Sequence, residues 1–358
     1  MTKVLGISFG TRNGNNDSIC KEALKGAREQ GAEIEFIRAQ DLDIRHCTGC
    51  ITCVKMLMNG WGNMCVHEDD FDWLAYRMFT ADGIVVCDPI FETGATGLFH
   101  TVMDRFGPRM DTGNNLIGRQ VAEANLARGT KGVIPPEYVF HVGIPISYIG
   151  IGGSDWGTHI ESDHAIQSMT PAWKVIHNEW IPWSKKALLD DGVVARAHQI
   201  GMDTAQAAMD PEHAEFKGKR GVCPHCNCND FYLYPGENRA VCTVCGLQGK
   251  VVLDGSGAVT VEYAEHDATD GSGNVLLTKD GAPAFPGMYD QQGRERAHDT
   301  LGGKQIHGED IGRMEGELAE LQKGDAYRSR VRAYREFIEP TTPSEGERLK
   351  TFQEFADI

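Results

Sequence analysis

The sequence predicts an α/β protein built on a doubly wound, five-stranded parallel sheet, with a small β appendage and a helical C-terminal extension. Three observations carry this. Short apolar runs alternate with helix-period segments over residues 1–210. Polar, glycine-bearing loops follow several of those runs. Beyond Pro211 the rhythm changes to short alternating strands set between paired cysteines.

Residues 3–8 read as a buried strand that ends in the loop Phe9-Gly10-Thr11-Arg12-Asn13-Gly14-Asn15-Asn16. A helix is expected from Asp17 to Gln30, with Gly31 as its stop. Residues 33–39 alternate as an edge strand does, and residues 82–87 form a short apolar run of the fully buried kind. Residues 145–151 give a fourth strand, 174–181 a fifth, and 193–209 a closing helix. Strands alternating with helices imply right-handed βαβ units with helices on both faces. Residues 107–144 break the rhythm; a lid and an oligomer contact are both open. Three regions follow: 1–210 as the α/β domain, 217–265 as a cysteine-bearing β domain, and 266–358 as an extension irregular at first and helical over 309–338. In that helix Ile311, Met314, Leu318 and Leu321 share one face. The tail from Pro340 is expected to wrap a neighbour. No internal repeat is visible.

The chain has 358 residues and a net charge of −16, from 35 Lys and Arg against 51 Asp and Glu. Such a surface repels nucleic acid and anionic membrane, so neither is expected as a partner. No run approaches the roughly 18 apolar residues of a membrane span, and the N-terminus enters a strand at once, without room for a signal peptide. Eight of eleven cysteines fall in two sets with metal-ligand spacing, which suits a reducing cytoplasm better than disulfides.

Ligands of such sheets bind beyond the carboxyl ends of the strands. In the first loop, Ser8, Gly10, Thr11, Arg12, Asn16 and Ser18 surround a helix N-terminus suited to a phosphate. The loop lacks the Gly-x-Gly-x-x-Gly pattern, so a mononucleotide is preferred. A second loop, Asp88-Pro89-Ile90-Phe91-Glu92-Thr93-Gly94, leads to Phe99-His100-Thr101-Val102-Met103-Asp104-Arg105, and a third is Gly152-Gly153-Ser154-Asp155. Together these resemble the flavodoxin-like NADPH-dependent FMN reductase and iron–sulfur flavoprotein families over roughly residues 1–210. Those families read Gly-Ser-Pro-Arg in the first loop and Pro-Val-Tyr in the second; here Gly10, Thr11 and Phe91 depart from the pattern, and His100 stands where lysine is usual. The resemblance implies FMN, its phosphate on residues 8–18 and its ring between the 89–94 and 152–155 loops. It also implies NAD(P)H or a redox protein as possible electron donor, a small aromatic or quinone-like substrate, and a homodimer or homotetramer.

Cys47-x2-Cys50-x2-Cys53-x11-Cys65 is similar to the compact motif of the iron–sulfur flavoproteins, although the last interval is longer, with 55–64 looping out. A [4Fe–4S] cluster is favoured; zinc and free thiol or disulfide chemistry stay open. Trp61 and Met64 could cover that cluster, and His46 beside it reads as a surface residue. Cys223-x2-Cys226 and Cys242-x2-Cys245 have zinc-ribbon spacing, with rubredoxin-type iron as the alternative; Cys228 is spare and His225 exposed. Cys20 and Cys87 read as core residues. Trp156, Trp173, Trp180 and Trp183 are expected to fill core or interface, and His159, Glu161, Asp163 and His164 are possible proton donors near the flavin. The sequence thus points to an FMN-dependent oxidoreductase with an iron–sulfur cluster. A cluster-free, substrate-specific FMN dehydrogenase or reductase and a non-enzymatic electron carrier are the alternatives.

Overall fold

The structure, a computed structural model, describes residues 1–153, 158–346 and 348. Five parallel strands, β1 (Lys3–Ser8), β2 (Glu33–Arg38), β3 (Gly83–Pro89), β4 (Pro145–Ile151) and β5 (Lys174–Ile181), form a sheet in the order β2-β1-β3-β4-β5. This is the predicted doubly wound sheet, with the switch point between β1 and β3. β1, β3 and β4 are buried almost throughout, as strands covered on both faces must be.

Helices α1 (Asn15–Glu29) and α7 (Asp191–Met209) cover one face through Ile19, Ala23, Leu24, Ala197 and Ile200. The other face packs α3 (Phe71–Phe79), α4 (Gly97–Met110) and α6 (Ile160–Met169) around Phe71, Met78, Phe99, Phe106 and Trp173. Trp173 is core as expected, whereas Trp183 is 62% exposed with a left-handed backbone, so it fills no core in this chain. Trp156 lies outside the described residues. Cys20 and Cys87 are both fully buried.

Where α1 crosses α7, glycine is a requirement. A Cβ on Gly201 would lie 1.7 Å from the Ala23 carbonyl oxygen, and one on Gly26 would lie 2.1 Å from that of His198. His198 sits in the same crossing, with ring nitrogens 2.9 Å from Glu22 and 3.0 Å from Glu29.

Residues 55–64 do not loop out: α2 (Thr52–Met58) takes up the first half and carries Cys53 on a buried face. Residues 107–144, unassigned from the sequence, contain the end of α4 and a full helix, α5 (Thr112–Ala127). α5 lies against α2 so closely that Gly118 meets Leu57 and Gly60 meets the Ala122 backbone.

The second sheet is antiparallel, ordered β6 (Phe231–Leu233), β7 (Ala240–Cys242), β8 (Gln248–Leu253), β9 (Val259–Tyr263). This region carries a repeated turn that unequal spacing conceals in the sequence. Asp254–Gly257, Asp270–Gly273, Thr278–Gly281 and Asp290–Gly293 are the same turn, each glycine N–H closing on the first residue's carbonyl at 2.9–3.1 Å. In the three aspartate turns Oδ1 accepts the N–H groups two and four residues on. Every one of the four glycines has φ between +78° and +84°, the left-handed position of a three-residue hairpin loop. The signal was the recurring Asp-x-x-Gly, hidden by unequal spacing.

The chain divides into two compact units, Met1–Glu309 and Asp310–Ile358. Helix α8 (Leu301–Lys323) begins in the first, where Lys304 is buried and bonds Asp111 at 2.7 Å; its distal half and α9 (Asp325–Phe337) belong to the second.

Gly201→Ala is expected to destabilise the protein by about 3 kcal/mol, the upper range for overpacking, because backbone cannot yield as a side chain does. Urea denaturation followed by circular dichroism checks this; an unchanged midpoint contradicts the tight crossing.

Candidate active site and metal centres

The loop after β1 is held from beneath. Ser8 donates its hydroxyl to Asp17 at 2.7 Å, Asn13 donates its N–H to the same carboxylate at 3.0 Å, and Arg38 pairs with it at 2.7 Å. Burial alone would raise the Asp17 carboxyl; the Arg38 guanidinium, the Ser8 hydroxyl and the Asn13 N–H outweigh it and hold the group below the usual carboxylate range. Ser8 is therefore a strut, its proton committed inward. Arg12 and Thr11 are exposed, with Arg12 3.4 Å from Asp41. Gly10 lets the loop close on Asn16, since a Cβ there would lie 2.5 Å from Asn16 Cβ, and the buried Asn16 Oδ1 has no hydrogen-bond partner. The α1 N-terminus fits a phosphate, and the Asn16 amide, turned so that Nδ2 faces the loop, would add a donor. Ser18 sits one turn in, half-buried, its N–H bonded to Gly14.

The loop after β3 is strained. Phe91 and Gly94 exchange backbone hydrogen bonds at 3.1 and 3.0 Å, so Glu92 and Thr93 form a two-residue turn with φ of +48° and +75°. Non-glycine residues, a β-branched threonine above all, take this region at a cost of about 1–2 kcal/mol each, and such strain gathers at ligand sites. The first turn of α6 holds the loop. Thr93 accepts from the His159 N–H at 2.8 Å, and Asp163 takes the Ala95 N–H, also at 2.8 Å. Beside it, Pro89 ends β3, Ile90 is buried and its N–H bonds Ile151, and Gly152 approaches Ile90. Phe91 is 66% exposed, an aromatic face turned outward at the switch point. Gly153 accepts the Trp183 N–H at 3.3 Å, while Ser154 and Asp155 lie outside the described residues.

The ribbon rests on the same helix. Its four cysteines converge, with Cys223 and Cys245 Sγ 3.8 Å apart and Cys226 and Cys242 Sγ 3.5 Å apart. A tetrahedral ion with M–S bonds of about 2.3 Å puts its sulfurs about 3.8 Å apart, so the four fit one metal ion. Asp230, just past this site, bonds the Ser162 hydroxyl and lies 3.1 Å from His159 Nδ1, and the spare Cys228 lies 3.5 Å from the Ser162 hydroxyl. His225 pairs with Asp299 at 2.7 Å. Of the other proton-donor candidates, His164 is buried, stacked on Tyr148 at 4.8 Å and away from solvent. Glu161 is pushed up by burial, with the Asn229 amide opposing.

The first cysteine set is arranged differently. Cys47, Cys50, Cys53 and Cys65 line one small cavity of ≈ 60 Å³ with Arg105 and Arg109. Among the described residues they do not gather around a single point as the ribbon cysteines do. Sulfurs bound to separate irons of a cluster stand farther apart than ligands of one ion, so this set does not have the single-ion arrangement of the ribbon. Burial pushes the Cys53 thiol up, whereas hydrogen bonding from Thr52 and Thr48 pulls exposed Cys50 down. Neither Trp61 nor Met64 lines the cavity; Trp61 pairs with Val133 and has Lys131 5.5 Å over its ring.

Arg105 closes this cysteine loop. It bonds the Arg45 carbonyl at 2.9 Å and Asp69 at 2.5 Å, joining the residues just before Cys47 and just after Cys65. Burial opposes ionisation of Asp69, but Arg105 and the N–H groups of Arg45 and Phe71 prevail and draw it down to about 2. Adjoining the cysteine cavity along α4 lies a groove of ≈ 430 Å³ lined by His100, Met103, Asp104, Asp163, Ile166 and Thr170; Asp104 and Pro108 line both cavities. His100 Nε2 is 3.7 Å from Asp163.

Residues 2–177 match the NADPH-dependent FMN reductase family. A solved structure of a flavone reductase is 43% identical, covers 96% of this chain and 100% of its own, and superposes with a TM-score of 0.76. The flavin portion of the chain, residues 2–177, belongs to the NADPH-dependent FMN reductase family. It also resembles an iron–sulfur flavoprotein of Methanocaldococcus jannaschii, 35% identical over 107 residues, 30% of this chain and 52% of that protein. One from Methanosarcina thermophila is 30% identical over 104 residues, 29% of this chain and 51% of that protein. The chain spans about half the length of the curated relatives it matches. Both the family and the flavodoxin-like fold expected from the three loops are borne out. No helix among the described residues is long and apolar enough to cross a membrane.

Two outcomes test this site. Asp69→Asn leaves the buried Arg105 charge unpaired and is expected to cost about 3–5 kcal/mol. With a folded pKa near 2 against 3.8 unfolded, Asp69 stabilises the protein above about pH 4 and stops doing so as pH falls toward 2. Denaturation curves across that window should steepen for wild type and stay flatter for the variant. Asp230→Ala is expected to keep its zinc-type metal yet bind FMN several-fold more weakly, read by flavin fluorescence titration; unchanged affinity would show that the ribbon does not brace the Thr93 turn.

Proposed function

We propose that this protein is an FMN-dependent reductase of a planar, carbonyl-conjugated aromatic compound of the flavone type. The reading is carried by the flavone reductase likeness, which extends through the ribbon and nearly all of the extension as well as the flavin domain. FMN, when bound, supplies hydride chemistry, and a [4Fe–4S] cluster at Cys47, Cys50, Cys53 and Cys65 supplies one-electron transfer. Electrons come from NAD(P)H or a redox protein, in a reducing cytoplasm that keeps eight thiolates free for metal. Zinc at Cys223, Cys226, Cys242 and Cys245 is structural, since Cys223, Cys242 and Cys245 are buried and Cys226 half-buried in a cluster that includes Ala165 and Met169 of α6.

The chain's own residues divide the remaining work. Gly10, Asn16 and the α1 N-terminus bind the phosphate, and the Glu92–Thr93 turn orients the ring edge. The groove beside α4 holds the substrate; its ≈ 430 Å³ lies within the usual range for small-molecule sites. His100, half exposed in that groove and oriented by Asp163, delivers the proton to the substrate that must accompany hydride addition to a conjugated ketone.

The test is anaerobic turnover of a flavone with NADPH, NADH or reduced viologen, with iron, sulfide, zinc and flavin measured on the same sample. Flavone-dependent oxidation of the donor is expected, with about four irons and one zinc per chain. Cys53→Ser should lose iron alone, and His100→Gln should slow turnover about 10²-fold. Donor oxidation that is indifferent to flavone, with free FMN or ferredoxin reduced instead, would overturn the substrate assignment.

A further inference from the structure

The second unit carries two helical faces that are incompletely covered: on α8, Met314 and Leu321 are exposed and Ile311 and Leu318 half-buried. In α8, Ile311, Met314, Leu318 and Leu321 recur at intervals of three and four. In α9, Tyr327, Val331 and Tyr334 continue the same a/d rhythm. No residue of α9 is buried; Val331 is 50% exposed and Tyr334 70%. A sustained seam at this spacing is the geometry of helix-on-helix packing.

The flanks of the two seams differ in sign. Beside the α8 seam stand Asp310, Glu315 and Glu317; beside the α9 seam stand Arg328, Arg330 and Arg335. Arg313 engages Asp310 and Glu317 within its own helix. Among the described residues, Arg330, Arg332 and Arg335 have no ion-pair partner, in a chain whose net charge is −16. Flanking charges of this kind select the partner helix, and these select α8 for α9.

The two helices of one chain cannot satisfy each other. Gly324 alone separates Lys323 from Asp325, with φ −74° and ψ 144°, and antiparallel helices need a connection of about 2–5 residues to fold back. We infer that α9 of one copy packs its Tyr327–Tyr334 seam onto the distal α8 seam of a second copy, and receives the reciprocal contact. The arm is an exchange device, and acidic and arginine-rich flanks set its register.

A photo-crosslinking residue placed at Tyr334 of the full-length protein tests this in a mixture of heavy- and light-isotope chains. Expected is a crosslink to residues 310–322 of a chain of the other isotope. Glu315→Arg with Glu317→Arg should abolish it, and so should Arg328→Glu with Arg330→Glu, while mixing those two variants restores it. Crosslinks confined to one isotope, or to another surface, overturn the proposal. So does binding of the wild-type arm to phosphatidylserine vesicles that Val331→Glu abolishes while the crosslink is absent, because a basic amphipathic helix then serves a membrane surface.

Discussion

The buried Arg105 guanidinium is the constraint around which the redox half of the molecule is organised. It reaches from α4 to the Arg45 carbonyl and the Asp69 carboxylate, and so closes a loop whose interior is the four-cysteine ring. A buried charge is tolerated only when fully paired, and here the pairing also fixes where the loop begins and ends. The same helix leads directly from the strained turn after β3, so cysteine cavity, groove and flavin loop share one rigid element.

A second shared element is α6. Its first turn takes the Thr93 carbonyl on one side and Asp230 of the ribbon on the other. A metal that holds the ribbon therefore also limits how far the flavin loop can relax. Strain of the Glu92–Thr93 kind persists only where the surroundings over-determine it, and the ribbon is part of those surroundings.

Much of this was legible in the sequence, and the exceptions have physical causes. The sheet announced itself because buried parallel strands read as unbroken apolar runs. The ribbon cysteines announced themselves by spacing alone. Helix α5 did not, because its first turn is Thr112-Gly113-Asn114-Asn115, polar residues that look like loop but are buried. The Asn114 N–H bonds Asp111, and the Asn114 and Asn115 amide N–H groups donate to the carbonyls of Pro108 and Arg109, partners supplied by the fold. Ser8 looked like a phosphate donor because its commitment to Asp17 depends on a side chain one helical turn away in space. The tie between Asp230 and α6 spans some seventy residues and leaves no local trace.

The hairpin series beyond β8 has a consequence for how this chain can vary. Each Asp-x-x-Gly turn sets its own register through bonds no more than four residues apart, so folding information there is local and contact order low. A hairpin could be gained or lost without resetting its neighbours. That stretch is where relatives can differ in length at little thermodynamic penalty, while the flavin sheet and the two cysteine sites keep their geometry.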